Sequence, residues 1–71
     1  MKMHYYQETD SLYIDLADRP SVESREVAPG VVLDFDAEGK LVGIDLDQAS
    51  KVANLTRLDS IDLPTRITSV A

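Results

Sequence analysis

Between Val31 and Asp47 the chain reads VVLDFDAEGKLVGIDLD: two runs of alternating apolar and polar residues around a short acidic stretch that contains Gly39. A period of two belongs to a strand with one face toward a core and one toward water. Val31, Leu33 and Phe35 share one face of the first run, with Asp34 and Asp36 on the other. In the second run Val42, Ile44 and Leu46 oppose Gly43, Asp45 and Asp47. The stretch is therefore expected to be a hairpin whose two apolar sets lie on the same side. A four-residue loop from Ala37 to Lys40 meets that condition, setting Phe35 opposite Val42 and Leu33 opposite Ile44. A three-residue loop ending at Gly39 sets Phe35 opposite Leu41, and one step of register turns every side chain over. The four-residue loop is the expectation, with Gly39 supplying the positive φ.

The same alternation runs through the preceding chain. Lys2 to Tyr6 reads as a first strand, with Met3 and Tyr5 on one side and His4 and Tyr6 on the other. After the polar turn Gln7 to Asp10, Leu12, Ile14 and Leu16 point inward while Tyr13 and Asp15 point out. Pro20 ends that strand, since it has no N–H for a ladder. Val22 to Val27 is a weaker strand suited to an edge, and Pro29-Gly30 is a turn. Five strands on short connections, with no room for a crossover helix, predict a small antiparallel five-stranded β-meander.

After Asp47 the period changes. Asp47 is placed to cap a short helix over Gln48 to Asn54, with Ala49, Val52 and Ala53 on its apolar side. The predicted class is α+β: the sheet plus a short helix after the last strand, over residues 1–54. Residues 55–71 form a C-terminal tail whose aliphatics Leu55, Leu58, Ile61 and Leu63 fit neither period and whose end (Ile67, Thr68, Val70) is β-prone. An added strand, which would make the sheet six-stranded, a swapped arm and a disordered tail all stay open.

A chain of 71 residues with 44% apolar content and no cysteine is one small domain or part of one, with little core and no covalent staple. Self-association, as a homodimer or larger, is the expected supplement. Thirteen acids against seven bases give a net charge of −6. That excludes a phosphate backbone and an anionic membrane surface as natural partners, and leaves a basic protein as the compatible one. No apolar run has signal-peptide or membrane-span length, so a cytoplasmic protein is expected.

Asp10-Ser11-Leu12-Tyr13-Ile14, Glu26-Val27 through Gly30-Val31-Val32-Leu33-Asp34, and Gly39-Lys40-Leu41-Val42-Gly43-Ile44 follow one another in an order and spacing that resembles a small prokaryotic family, the domain of unknown function numbered 2283. Asp45, Leu46, Ala49 and Ser50 stand where that family continues with an acid, an aliphatic pair and a short helix start. The resemblance covers Met1 to Val52. It implies a small antiparallel sheet with a short helix after the last strand, and no established activity.

The residues with chemical potential are few. Asp34 and Asp36 lie two apart on the polar face, about 7 Å along a strand, with Asp45 diagonally across. Such a patch would suit a hard cation or split its pKa values for acid–base work. A solvated face of an acidic protein is the plainer account, and neutralising Asp34 and Asp36 is then expected to stabilise slightly. His4 is the only histidine and has no partner at metal-ligand or catalytic spacing. Gly43, mid-strand, calls for a bulge or a crowded contact. Tyr6 and Tyr13 on one face form a candidate interaction platform. With Leu55, Leu58, Ile61 and Leu63 they make up the expected interface. No cofactor-binding loop is present: Gly30, Gly39 and Gly43 lack the required spacing. The function expected is a non-enzymatic protein-interaction module forming homo-oligomers. The alternative is a small metal-dependent or acid–base enzyme using Asp34, Asp36 and Asp45.

Overall fold

Five strands and one helical turn account for the regular structure: β1 (Lys2–Tyr6), β2 (Ser11–Asp15), β3 (Glu23–Ala28), β4 (Val31–Phe35), β5 (Leu41–Leu46) and α1 (Ala49–Val52). The structure, a computed structural model, describes residues 1–64; the β-prone end of the tail lies outside the described residues. All strand pairs are antiparallel, as expected, and the helix follows the last strand. The spatial order is β1-β2-β5-β4-β3, so β2 lies beside β5 and not beside β3. Strands β2 to β5 thus form a Greek key, and the connection after β2 is a long return where a meander would have a hairpin.

Side-chain bulk explains that departure. Pairing β2 with β5 sets Leu12 against Leu46 and Ile14 against Ile44, and β4 adds Val31 and Leu33 on the other flank. Cross-strand aliphatic pairs of this kind stabilise a sheet, whereas ESREVA has little to offer a central position. The weak strand is left at the edge, as its composition predicts. The returning chain passes the end of the β4–β5 hairpin, where Arg19 Nε donates to Asp36 Oδ2 at 2.8 Å.

Asp36 also decides the hairpin. Its N–H donates to the Lys40 carbonyl at 2.8 Å, and its own carbonyl accepts from Gly39 at 3.0 Å. Its Oδ1 takes the N–H groups of Glu38 and Lys40 at 2.9 and 2.8 Å. The loop is therefore Ala37-Glu38-Gly39, one residue shorter than expected, with Gly39 at φ 80°. Phe35 pairs with Leu41, as a three-residue loop demands. The faces are nonetheless kept, because a bulge at Val42 restores the register at Asp34–Gly43 and Leu33–Ile44. The extra residue is held from the other side by Leu16, whose N–H donates to the Val42 carbonyl at 2.9 Å.

The helix is shorter than expected, and Asp47 does not cap it. Gln48 occupies the cap position in the left-handed region with no side-chain cap, and Asp47 accepts only from the adjacent Gln48 N–H. The free N–H groups of the first turn go instead to Asp10, forty residues upstream. Its carbonyl accepts from Ala49 at 2.8 Å, and its carboxylate takes Ser50 N–H at 3.1 Å and Ser50 Oγ at 2.6 Å. Tyr5 donates to the same carboxylate at 2.8 Å. Among the described residues Val42 and Ala49 alone are buried apolar residues. The apolar residues of β2, β4 and the rest of β5 are half-buried, and residues 54–64 are exposed. Among the described residues the strands form a single sheet.

The N–H of Lys40, with those of Glu38 and Arg19, holds the Asp36 carboxyl below its ordinary pKa. A depressed folded pKa contributes stability that is complete above the unfolded value near 4 and is lost as pH falls through the folded value. Asp36→Asn is expected to lower the melting temperature at pH 7 and to flatten its fall below about pH 4. Thermal melts across that range measure both.

Candidate functional site

The polar face is organised around Tyr13. On β2 it pairs with Asp45 of β5, and its ring reaches over Gly43 to β4, where the hydroxyl donates to Asp34 Oδ2 at 2.8 Å. Ser24 of β3 donates to the other oxygen of Asp34 at 2.6 Å. One carboxylate thus ties together the side chains of three strands. Gly43 stands between Asp15 and Asp34 in register, and a Cβ built there would sit 2.6 Å from Tyr13 Cζ and closer still to the hydroxyl. The close approach that Gly43 signals is therefore an aromatic ring; the bulge expected of it falls one residue earlier, at Val42. Acceptance by Asp34, followed by burial and the charges of Asp34, Asp15 and Asp45, pushes the Tyr13 phenol up to about 12.

This arrangement disperses the expected carboxylate patch. Asp34 is engaged by Tyr13 and Ser24, Asp36 by the loop and Arg19, and Asp45 remains exposed. Among the described residues no three His, Asp or Glu side chains gather as a cation cradle. The expectation that neutralising Asp34 and Asp36 stabilises the chain is reversed, because each accepts hydrogen bonds that an amide would weaken. His4 pairs with Tyr13 in register and stacks on Tyr6 with ring centroids 4.3 Å apart. Tyr6 is exposed beside that stack. Two open dents, lined by Met1, Lys2, Asp15, Ala17 and Asp18 and by Tyr6 to Thr9, lie at opposite ends of the β1–β2 hairpin.

The other face carries Met3 and Tyr5, Leu12 and Ile14, Ile44 and Leu46, and Val31, Leu33 and Phe35 across four strands. At its β3 edge the Arg25 guanidinium lies 4.2 Å above the Phe35 ring and pairs with Glu23 at 3.0 Å. Nothing among the described residues forms a second layer on this face. Leu55, Leu58, Ile61 and Leu63 are themselves exposed, Ile61 at 80%. Among the described residues no helix is long and apolar enough to cross a membrane.

The Tyr13–Gly43 contact is open to a double-mutant test. Gly43→Ala forces the ring off Asp34 and is expected to cost about 1–3 kcal/mol. In a Tyr13→Ala background the same change should gain about 0.5–1 kcal/mol, the ordinary preference for alanine over glycine in a strand; denaturant unfolding of the four proteins measures the coupling. Phenol absorbance should also show one tyrosine ionising only near pH 12, and that step should vanish in Tyr13→Phe. Since the folded pKa is raised, the stability this bond contributes is complete below about pH 10 and is lost as pH rises through 12.

A family model described as "Protein of unknown function (DUF2283)" matches residues 2–50, which hold all five strands and the start of the helix. No curated protein and no solved structure matches the chain. The match spans more than half of the sequence and agrees with the resemblance carried by its Asp10–Ile14, Glu26–Asp34 and Gly39–Ile44 segments, and the chain belongs to the DUF2283 family.

Proposed function

We propose that this chain is a non-enzymatic interaction module that works as a homo-oligomer. The observation that carries the reading is the apolar face of the sheet, over which no described residue forms a second layer. Domains bury the apolar side of a sheet against another layer, and a single exposed layer is the incomplete form of that architecture. The accessible surface is 5973 Å². A compact monomer of 7.9 kDa exposes about 4,400 Å², and the exposed residues 54–64 contribute to the excess. The exposed Leu55, Leu58, Ile61 and Leu63 add apolar material outside the sheet. The polar face, by contrast, has the organised network of a surface adapted to water. The acid–base alternative has no comparable support, since Asp34 and Asp36 are each committed to structural hydrogen bonds.

Sedimentation equilibrium at micromolar concentration is expected to give a dimer or larger, with a melting temperature that rises with protein concentration. Two chains of charge −6 repel, so association should strengthen as salt rises from low to physiological ionic strength. A basic protein partner would show the opposite salt dependence. A monomer whose melting temperature ignores concentration defeats the proposal.

A further inference from the structure

We propose that a second copy of this chain covers the apolar face, the two sheets closing over Ile14, Leu33 and Ile44 about a two-fold axis; this rests on the self-association just proposed. Ile14, Ile44 and Leu33 are direct partners across β2, β5 and β4, so the three form a row through the middle of the sheet. The four strands that carry it, spaced by about 4.8 Å and each about 17 Å long, give this face a footprint of roughly 330 Å². That is smaller than the ~800 Å² per partner of a standard-size interface, so the contact expected from this face alone is a small one.

Charge selects the occupant. The chain is strongly acidic, yet the inward positions of β2, β4 and β5 carry no charged residue. Asp15, Asp34 and Asp45 lie on the opposite face, in register with Gly43 or Tyr13. Two copies can therefore meet here without setting acid against acid, whereas a basic partner would find no carboxylate on the central strands. The Arg25–Glu23 pair beside Phe35 closes the patch at the β3 edge with a polar rim. A polar rim around an apolar centre is the usual anatomy of a protein interface. A face-to-face pair also satisfies the layer rule directly: it is a two-layer sandwich, with the Tyr13–Asp34–Ser24 networks outside.

The absence of cysteine from the chain makes the geometry directly testable. Single variants Ile44→Cys, Asp45→Cys and Ile61→Cys are prepared in the full chain and treated with a short bismaleimide, and wild-type sedimentation is measured in parallel. Ile44→Cys should link to a covalent dimer, while Asp45→Cys, one residue away on the outer face, should stay unlinked. Because a charged side chain at Ile44 risks unfolding, Ile14→Thr and Ile44→Thr, which keep the β-branch, are tested for association, with circular dichroism checking that the sheet persists. Each is expected to weaken dimerisation at least tenfold. A wild-type dimer in which Ile61→Cys links and Ile44→Cys does not would overturn this face while leaving self-association standing. A wild-type monomer with Ile44→Cys unlinked would remove both.

Discussion

The Asp36 carboxylate is the point on which the rest of the sheet depends. By accepting two loop N–H groups it closes the β4–β5 hairpin after three residues. That choice alone would have turned the faces of one strand against the other. The bulge at Val42 absorbs the error, and the Val42 carbonyl it displaces is met by Leu16 at the end of β2. The same carboxylate holds Arg19 on the return connection, beside the strands which that connection must pass to reach the far edge. Loop length, register, bulge and topology are thus coupled through one side chain. An ionised carboxylate suits the role because it accepts several hydrogen bonds at once, each strengthened by its charge.

Acids used in this way change the meaning of an acidic composition. Asp10 anchors the helix, Asp34 joins three strands and Asp36 fixes the hairpin, each accepting at least one hydrogen bond from a residue ten or more positions away. In all three cases several donors converge on one carboxylate. A sheet with only Val42 and Ala49 buried among its described apolar residues takes part of its definition from polar networks, and such networks specify a structure because their geometry is exacting.

Local patterning made the strands legible. Alternation located all five, the weak composition of Glu23–Ala28 put that strand at an edge, and Gly39 was recognised as the loop residue of positive φ. The connection from β2 to β3 was not legible, because short polar segments look alike whether they turn back or cross a sheet end. The hairpin register was half legible: Leu33–Ile44 follows from alternation, but a loop and a bulge that cancel leave no trace in the period. The helix cap was misplaced for a related reason. Capping signals are sought next to the helix, at Asp47, and the residue that supplies the acceptors is Asp10. The Tyr13–Asp34–Ser24 network could not be found without the β2–β5 pairing, although Gly43 flagged the spot.

The two faces of the sheet embody opposite solutions to exposure. On one, every charged group that a strand brings near its neighbours is given a donor or left at the surface, and glycine makes room for a ring to lie flat. On the other, the central residues are aliphatic and the polar groups lie at the margins, Arg25 and Glu23 beside β3 and the Tyr5–Asp10 pair beside β1. A sheet that were simply an exposed scaffold would have no reason to keep its central inward positions uncharged in a chain where 13 of 71 residues are acids. Segregation this complete is costly for a solitary layer, which gains nothing from leaving isoleucines half in water. In the face-to-face pair proposed above, the same row of Ile14, Ile44 and Leu33 would form the centre of a shared core.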